Sequence, residues 1–511
     1  MNARGMPDSR TKTLSTARRR LVESRVRGLT DAPTAASTIP HRPADAPIPL
    51  APGQHGVWLL HQVDPTSAAY NLNAAYRIDG ALDPTVLQAC LDQLVERHAI
   101  LRTRFESGPM GAVQVIDREA RIELERSTCA EAEILDTAQR LAGRVWDLEA
   151  GPLLRLHLIV GDSGGQLLLL SSHHVILDEW SLGIFWRELA TIYEALAEGR
   201  IPELAPLPIQ FTDYASWQHR RLEDGLADRQ LEFWRRRLAE PLPSAAIPTD
   251  RRRTADHSDR GGYLSDTVDL ATVERLRQLA SREAASLSMI LLLGWKLLLQ
   301  SYCDYDDILV GTPLADRQLP ETANLLGYLL NTAVLRTDLG GDPSLRQALE
   351  RVRQTLLEAF ENRDLPFDEL VRRLNPIRPA ALHPYFQTMF VFQRQQDAPE
   401  TLELPGVTLE PVDIFAGSAK FDLTLFARER QQELEIMIEF RRDLYGTATI
   451  EQLLAHYRQL LASMAADPDR VISELSMLTA DERTAILQDW QGRALPVEAE
   501  PLLGEAIAIQ T

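Results

Sequence analysis

Cysteine is scarce. Cys90, Cys129 and Cys303 are the only three in 511 residues, and they lie far apart with no Cys-x-x-Cys or Cys/His ligand spacing. That excludes a disulfide framework and a thiolate metal cluster, and it suits a reducing, cytoplasmic compartment. Long apolar runs are missing too. The most apolar stretch, residues 287–299, contains Lys296 and is too short to span a bilayer, so it reads as a core helix. Positive charge is in deficit: 54 Lys and Arg against 73 Asp and Glu give a net charge of −19. Nucleic-acid binding wants a basic face, so a nucleic-acid partner is excluded. The deficit is uneven. Residues 1–30 hold eight Lys or Arg and two Asp or Glu, about +6, which leaves about −25 for the rest.

What is present is an ordinary globular composition, 45% hydrophobic and 25% charged, in a chain long enough for two lobes. The basic start, with Ser15 as a helix cap, fits a transit peptide or a solvated helix, and reads best as a docking helix over 1–30. A Pro/Ala-rich linker follows at 31–49. Beyond it, strands and helices mix. Strands are expected at 74–80, 101–106, 112–116, 122–125, 153–160, 166–172, 307–312, 385–393, 421–427 and 434–440. Helices are expected at 83–97, 130–146, 182–198, 227–239, 271–283, 287–302, 345–362 and 450–465. A proline-rich break at 202–208 divides the halves. The pattern predicts a mixed α/β fold with two lobes, 50–205 and 206–478, and a further linker at 479–511.

The chemically suggestive stretch is Ser171-Ser172-His173-His174-Val175-Ile176-Leu177-Asp178-Glu179-Trp180-Ser181. It follows an apolar strand, along which successive side chains point to opposite faces. One histidine is then committed to packing while the other is free to face a cavity. An imidazole titrates near neutral pH, so an accessible one is a candidate proton acceptor. Paired histidines are often structural, and Asp178 is able to hold an arginine or the local backbone. A metal site is disfavoured, since adjacent strand histidines do not share an ion easily and no cysteine is near. A serine hydrolase is disfavoured by the lack of a Gly-x-Ser-x-Gly elbow.

The His-His-x-x-x-Asp core has company in a fixed order: Arg97-His98-Ala99-Ile100-Leu101-Arg102-Thr103; Gln210-Phe211-Thr212-Asp213-Tyr214; Gly327-Tyr328-Leu329-Leu330-Asn331-Thr332; Asp364-Leu365-Pro366-Phe367-Asp368; and His383-Pro384-Tyr385-Phe386-Gln387. Over roughly residues 45–478 the chain resembles condensation domains of nonribosomal peptide synthetases. The resemblance implies two chloramphenicol-acetyltransferase-like lobes in a V with a central tunnel. The implied reaction is amide formation, in which a carrier-bound aminoacyl amine attacks an acyl or peptidyl thioester. His174 is the implied catalytic residue, His173 and Asp178 support it, and Asp178 is expected to pair with Arg97 or Arg102. Glu179, Trp180, Ser181 and Asn331 are expected near the tunnel.

No metal or bound cofactor is implied, because the phosphopantetheine arm comes from carrier domains or coenzyme A. The implied partners are donor and acceptor carrier domains and an adenylation domain that would follow 479–511; acyl-CoA is an alternative donor. One departure stands out: the family usually has glycine where this chain has Glu179. Paired aspartates would mark heterocyclisation, and this chain has histidines. Epimerisation, or a non-catalytic recruitment role on the same scaffold, is the alternative reading.

Overall fold

Two six-stranded sheets carry the fold. The computed structural model describes residues 39–491, apart from 109–110, 244–246, 255–258, 377–381, 395–400 and 431–432. The expected basic helix and most of the terminal linker therefore lie outside the described residues.

The strands run in chain order as β1 (Asn71–Gly80), β2 (Thr103–Gly108), β3 (Gly111–Ile116), β4 (Leu124–Cys129), β5 (Leu154–Gly161), β6 (Gln166–His173), β7 (Gly261–Val268), β8 (Asp307–Ala315), β9 (Leu330–Asp338), β10 (Thr388–Gln393), β11 (Leu402–Leu404), β12 (Val407–Val412), β13 (Leu423–Glu429) and β14 (Leu434–Arg441). The first sheet has the order β11-β12-β1-β6-β5-β4 and the second β7-β14-β13-β10-β8-β9, with β2 and β3 forming a separate ribbon. Each sheet has its own apolar core and covering helices. The mixed α/β expectation holds.

The two halves are interleaved. β11 and β12 come from late in the chain yet pair antiparallel into the first sheet, β12 running beside β1 from Val407–Gly80 to Val412–Ala75. Residues 325–329 also enter the first core, through Leu325, Leu326 and Leu329. Beyond the proline-rich break, Phe211, Tyr214 and Ala215 of the helix Phe211–Arg221 still belong to the first core. Ala227, Leu231 and Trp234 belong to the second.

Local chemistry explains the elements. β6 is buried on both faces, as a central strand covered on each side must be, and its run of four leucines is the result. β14 alternates buried Leu434, Ile436 and Ile438 with partly open Glu435, Met437 and Glu439, so one face packs and the other does not. The helix Pro84–Arg97 starts on an Asp83 cap and a first-turn proline, as predicted. The helix Leu287–Cys303 is buried all round from Met289 to Leu299, and the Lys296 ammonium inside it donates to the Ile308 and Leu335 carbonyls, a buried cation satisfied by backbone. Among the described residues no single helix is long and apolar enough to cross a membrane.

Some expectations shift. The helix predicted at 130–146 is confined to Ile134–Ala142 and ends at Gly143. Asp147 then accepts from the Glu149 and Ala150 N–H groups in a turn, and Trp146 packs into the first core under the Arg155 guanidinium. The segment at 101–106 opens as a 3-10 turn, Ala99–Arg102, before β2 begins. The helix expected from 182 starts at Glu179, because Asp178 caps it.

Candidate active site

β6 delivers the two histidines. His173 closes the strand opposite Asn71 of β1. The chain then leaves the sheet: the His174 N–H donates to the Tyr70 carbonyl at 2.8 Å, and the Ile176 N–H turns back to the His173 carbonyl. The alternation of the strand sends the two rings to different surroundings.

His173 is 2% exposed and packs edge-on against the His61 ring. Its Nδ1 accepts from the Val175 N–H at 3.2 Å, so this nitrogen carries the lone pair. Burial, with His61 and Lys420 nearby, pulls its pKa down to about 3.

His174 is 7% exposed. Its Nδ1 lies 3.2 Å from the Leu177 carbonyl. A carbonyl only accepts, so Nδ1 holds the proton and Nε2 keeps a free lone pair. Among the described residues Nε2 has no hydrogen-bond partner. Burial holds the pKa of this ring well below the usual histidine range, and Lys420 and His173 push it further down. The ring is thus neutral, in one tautomer, with its acceptor nitrogen unspent. Tyr328 meets it edge-on at 6.1 Å.

Asp178 is fully buried and spends its carboxylate on structure. Oδ1 accepts from the Ser181 N–H (2.7 Å) and Arg317 Nη2 (3.0 Å), and Oδ2 accepts from the Leu329 N–H (2.9 Å). This corrects the expected pairing: the guanidinium on Asp178 is that of Arg317, not Arg97 or Arg102. Arg97 instead makes a two-point bond to Glu188 (3.1 and 3.2 Å), which His98 Nε2 also meets at 2.7 Å. Burial pushes Glu188 up, but the bonds from His98 and Arg97 win and hold it below its ordinary value. Arg102 donates to the Val95 and Glu96 carbonyls. The Arg-His element therefore braces the helix Glu179–Ala197 from behind, on Glu188.

Ser181 completes a clamp with Asp178. Its Oγ donates to the Gly327 carbonyl and accepts from Arg317 Nη2 and the Gly327 N–H. Glycine is required at 327 because a Cβ there would sit 2.0 Å from the Phe211 ring. Asn331 is saturated by backbone: Nδ2 donates to the Arg363 and Leu365 carbonyls, and Oδ1 accepts from the Thr332 and Phe367 N–H groups. It organises the turn at 363–367 and has no amide valence left for a ligand. Trp180 is 44% exposed. Glu179 is exposed and accepts from Gln393 Nε2 at 2.9 Å.

Five residues around the histidines carry no role in the sequence reading. Tyr70, Tyr328, Asp368, Lys420 and Glu439 all keep surface open to water. Desolvation nonetheless dominates the titration of each. It raises both tyrosines, lifts Asp368 to about 6 and Glu439 to about 7, and lowers Lys420. These five groups are reached by water although protein surrounds them. Lys420 Nζ stands 5.2 Å over the Tyr70 ring, and that ring contacts His173. No local pattern around Ser418-Ala419-Lys420-Phe421 announces this. A separate small hollow at Arg155, His157 and Ser171 touches neither His173 nor His174. Among the described residues no group of three or more His, Cys, Asp or Glu is placed to hold a metal ion.

The condensation-domain family profile matches residues 45–487. The chain belongs to the condensation-domain family. The domain is 38% identical over 476 residues to one of the linear gramicidin synthase proteins of Brevibacillus parabrevis, covering 91% of this chain and 6% of that protein. It is 38% identical over 457 residues to a dimodular nonribosomal peptide synthase of Bacillus subtilis, covering 87% and 19%. The domain thus spans a small part of these relatives. Among solved structures it is similar to the X-domain from teicoplanin biosynthesis, with 28% identity, a TM-score of 0.80 and coverage of 86% of this chain and all of that one. The first condensation domain of the calcium-dependent antibiotic synthetase shares the fold, with a TM-score of 0.71 at 20% identity, covering 85% of this chain and all of that one.

Proposed function

We propose that this domain joins an acyl or peptidyl thioester to the amine of a carrier-bound aminoacyl group, with His174 as the catalytic residue. The supporting observation is the imidazole of His174, neutral and tethered through Nδ1, with the Nε2 lone pair unspent; this reading places it on the passage where the two substrates meet. The amine N–H donates to Nε2, which aims the nitrogen lone pair at the thioester carbonyl. The C–N bond forms as the C–S bond breaks, and the proton shed by nitrogen leaves with the sulfur. A ring held so far below its ordinary pKa does not retain a proton, so Nε2 acts as an acceptor that orients and relays. Alignment of two tethered reactants contributes on the order of 10⁵ M in effective concentration, whereas a positioned base adds roughly 10²–10⁴-fold, so alignment is the larger effect. Asp178, Ser181 and Arg317 hold the loop, while Glu179 and Trp180 border the passage.

The donor is an acyl-CoA or a chain on an upstream carrier, and carrier domains and a neighbouring adenylation domain are its partners in a synthetase. The purified chain, given a carrier-loaded aminoacyl acceptor with either donor, is expected to yield the amide by mass spectrometry, and His174→Ala to lose it. A second reading has one observation behind it: the X-domain from teicoplanin biosynthesis, 27% identical with a TM-score of 0.78, is known in complex with OxyB. Binding of a loaded carrier without amide formation would favour recruitment. Inversion of the aminoacyl centre would favour epimerisation.

A further inference from the structure

Lys420 has no place in that reaction as described, and its surroundings are unusual. Its Nζ stands over Tyr70 at 5.2 Å. Among the described residues the ammonium makes no ion pair within 4 Å and no hydrogen bond. Tyr70 is also the residue whose carbonyl fixes His174 and whose ring touches His173. The cation is thus held at the wall formed by the two histidines. Two carboxylates reach it. Glu439, on the open face of β14, and to a lesser extent Glu179 favour its charged form. Lys420 is a charged neighbour of both rings and disfavours their protonation. The other ionisable groups facing this region are accounted for. Asp178 and Arg317 are locked together, and Asp368 lies beyond Tyr70 and Tyr328 against the helix at Gly56.

We propose that Lys420 is a positioning residue that disfavours protonation of the incoming acceptor amine by placing a positive charge close to the histidine pair on which that amine docks. Only a neutral amine has a lone pair to attack with. A free α-amine titrates at about 7.7–8.0, so much of it is blocked as ammonium at neutral pH. A second cation close by disfavours that ammonium, as it does for lysine nucleophiles placed next to another positive group. Glu439 and Glu179 favour the charged form of Lys420.

This inference rests on the amide-forming reading. The test compares single-turnover amide formation between acetyl-pantetheine thioester and alanyl-pantetheine thioester from pH 6 to 9, for the parent, Lys420→Met and Lys420→Arg. The apparent pKa of the rising limb is expected to increase by about one unit in Lys420→Met, a roughly tenfold loss at low pH that closes by pH 9. Lys420→Arg is expected to keep the parent profile. An acceptor ending in an acyl hydrazide, whose nitrogen is neutral throughout, is expected to show no pH-dependent difference. A uniform loss at every pH, no change at all, or the same pH-dependent loss with the hydrazide would overturn the proposal. Should Lys420→Met not fold, Lys420→Gln carries the test with the same sign, and an unmoved limb counts against it. Absence of amide from the parent with every donor and acceptor would instead defeat the amide-forming reading and this inference with it.

Discussion

Two charged clusters flank the histidine loop, and they are built in opposite ways. Asp178, Arg317 and Ser181 are sealed from water and nearly every valence is used, so the cluster acts as a rivet between residues 178–181 and 317–329. Lys420, Glu439 and Glu179 are reached by water and leave the Lys420 ammonium without a close counter-ion. Saturated buried ions specify geometry; under-satisfied ions in a wet interior are available to a ligand. If that contrast is right, damage to the first should appear as lost stability, and damage to the second as altered kinetics.

The largest effect should come from breaking the rivet. Arg317→Ala leaves Asp178 buried with one charge unpaired, which costs about 3–5 kcal/mol. Denaturant unfolding should show that loss. A midpoint equal to the parent would mean the pair is not a structural fixture, and the contrast would collapse. Replacing Arg97, whose Glu188 partner keeps His98 as a second donor, should cost less in the same assay.

Next comes the imidazole itself. His174→Ala removes the acceptor, so activity should fall roughly 10²–10⁴-fold, out of proportion to the shift in the unfolding midpoint. His173→Ala should do the reverse, since that ring packs against His61 and Tyr70. Equal damage to folding from both substitutions would erase the distinction between the two rings.

How much of this was written locally is uneven. The strand with two histidines, the capped helix at 84–97 and the buried helix around Lys296 are patterns of neighbours, and periodicity and caps reveal them. Asp178 as a helix cap was also legible, since an aspartate just before an apolar helix is a start signal. Its ion-pair partner was not. Arg317 lies 139 residues away, and spacing says nothing across a lobe boundary. The same holds for Arg97 with Glu188 and for Lys420 over Tyr70. β11 and β12 were missed because three- and six-residue strands carry too little alternation, although Pro405-Gly406 between them is a turn signal. The family resemblance supplied the order of motifs, and only the fold says what each motif holds.

A smaller effect is read by titration. His173 has a folded pKa of about 3 against 6.5 for the unfolded chain. Below pH 6.5 the unfolded state takes up a proton that the folded state refuses, so stability falls as pH drops towards 3. The slope approaches about 1.4 kcal/mol per pH unit for one histidine. Asp368 and Glu439 work the other way between about pH 7 and 4, because their raised pKa values let the folded state bind protons first. The net curve is therefore flattened, and the histidine contribution should be read as a difference. His173→Gln should gain on the parent progressively as pH falls from 6.5. A constant difference between the two curves would contradict the buried, neutral ring.

The smallest expected change in stability is at Glu179. Its carboxylate accepts one exposed hydrogen bond from Gln393, whose Oε1 in turn accepts from Arg428. That thread ties the first turn of the helix Glu179–Ala197 to the end of β10, on the opposite flank of the loop from Arg317. Exposed bonds of this kind contribute about 0.2–1 kcal/mol. Glu179→Gly should accordingly shift the unfolding midpoint only slightly, with part of the loss due to glycine in a helical first turn. Its kinetic consequence should be the larger one, because the substitution removes a carboxylate that helps to balance Lys420 and frees space beside Trp180. Competition between small and bulky aminoacyl acceptors, run on parent and variant together, should show a changed preference. An identical acceptor ranking would make Glu179 part of the frame, on the same side of the comparison as Asp178.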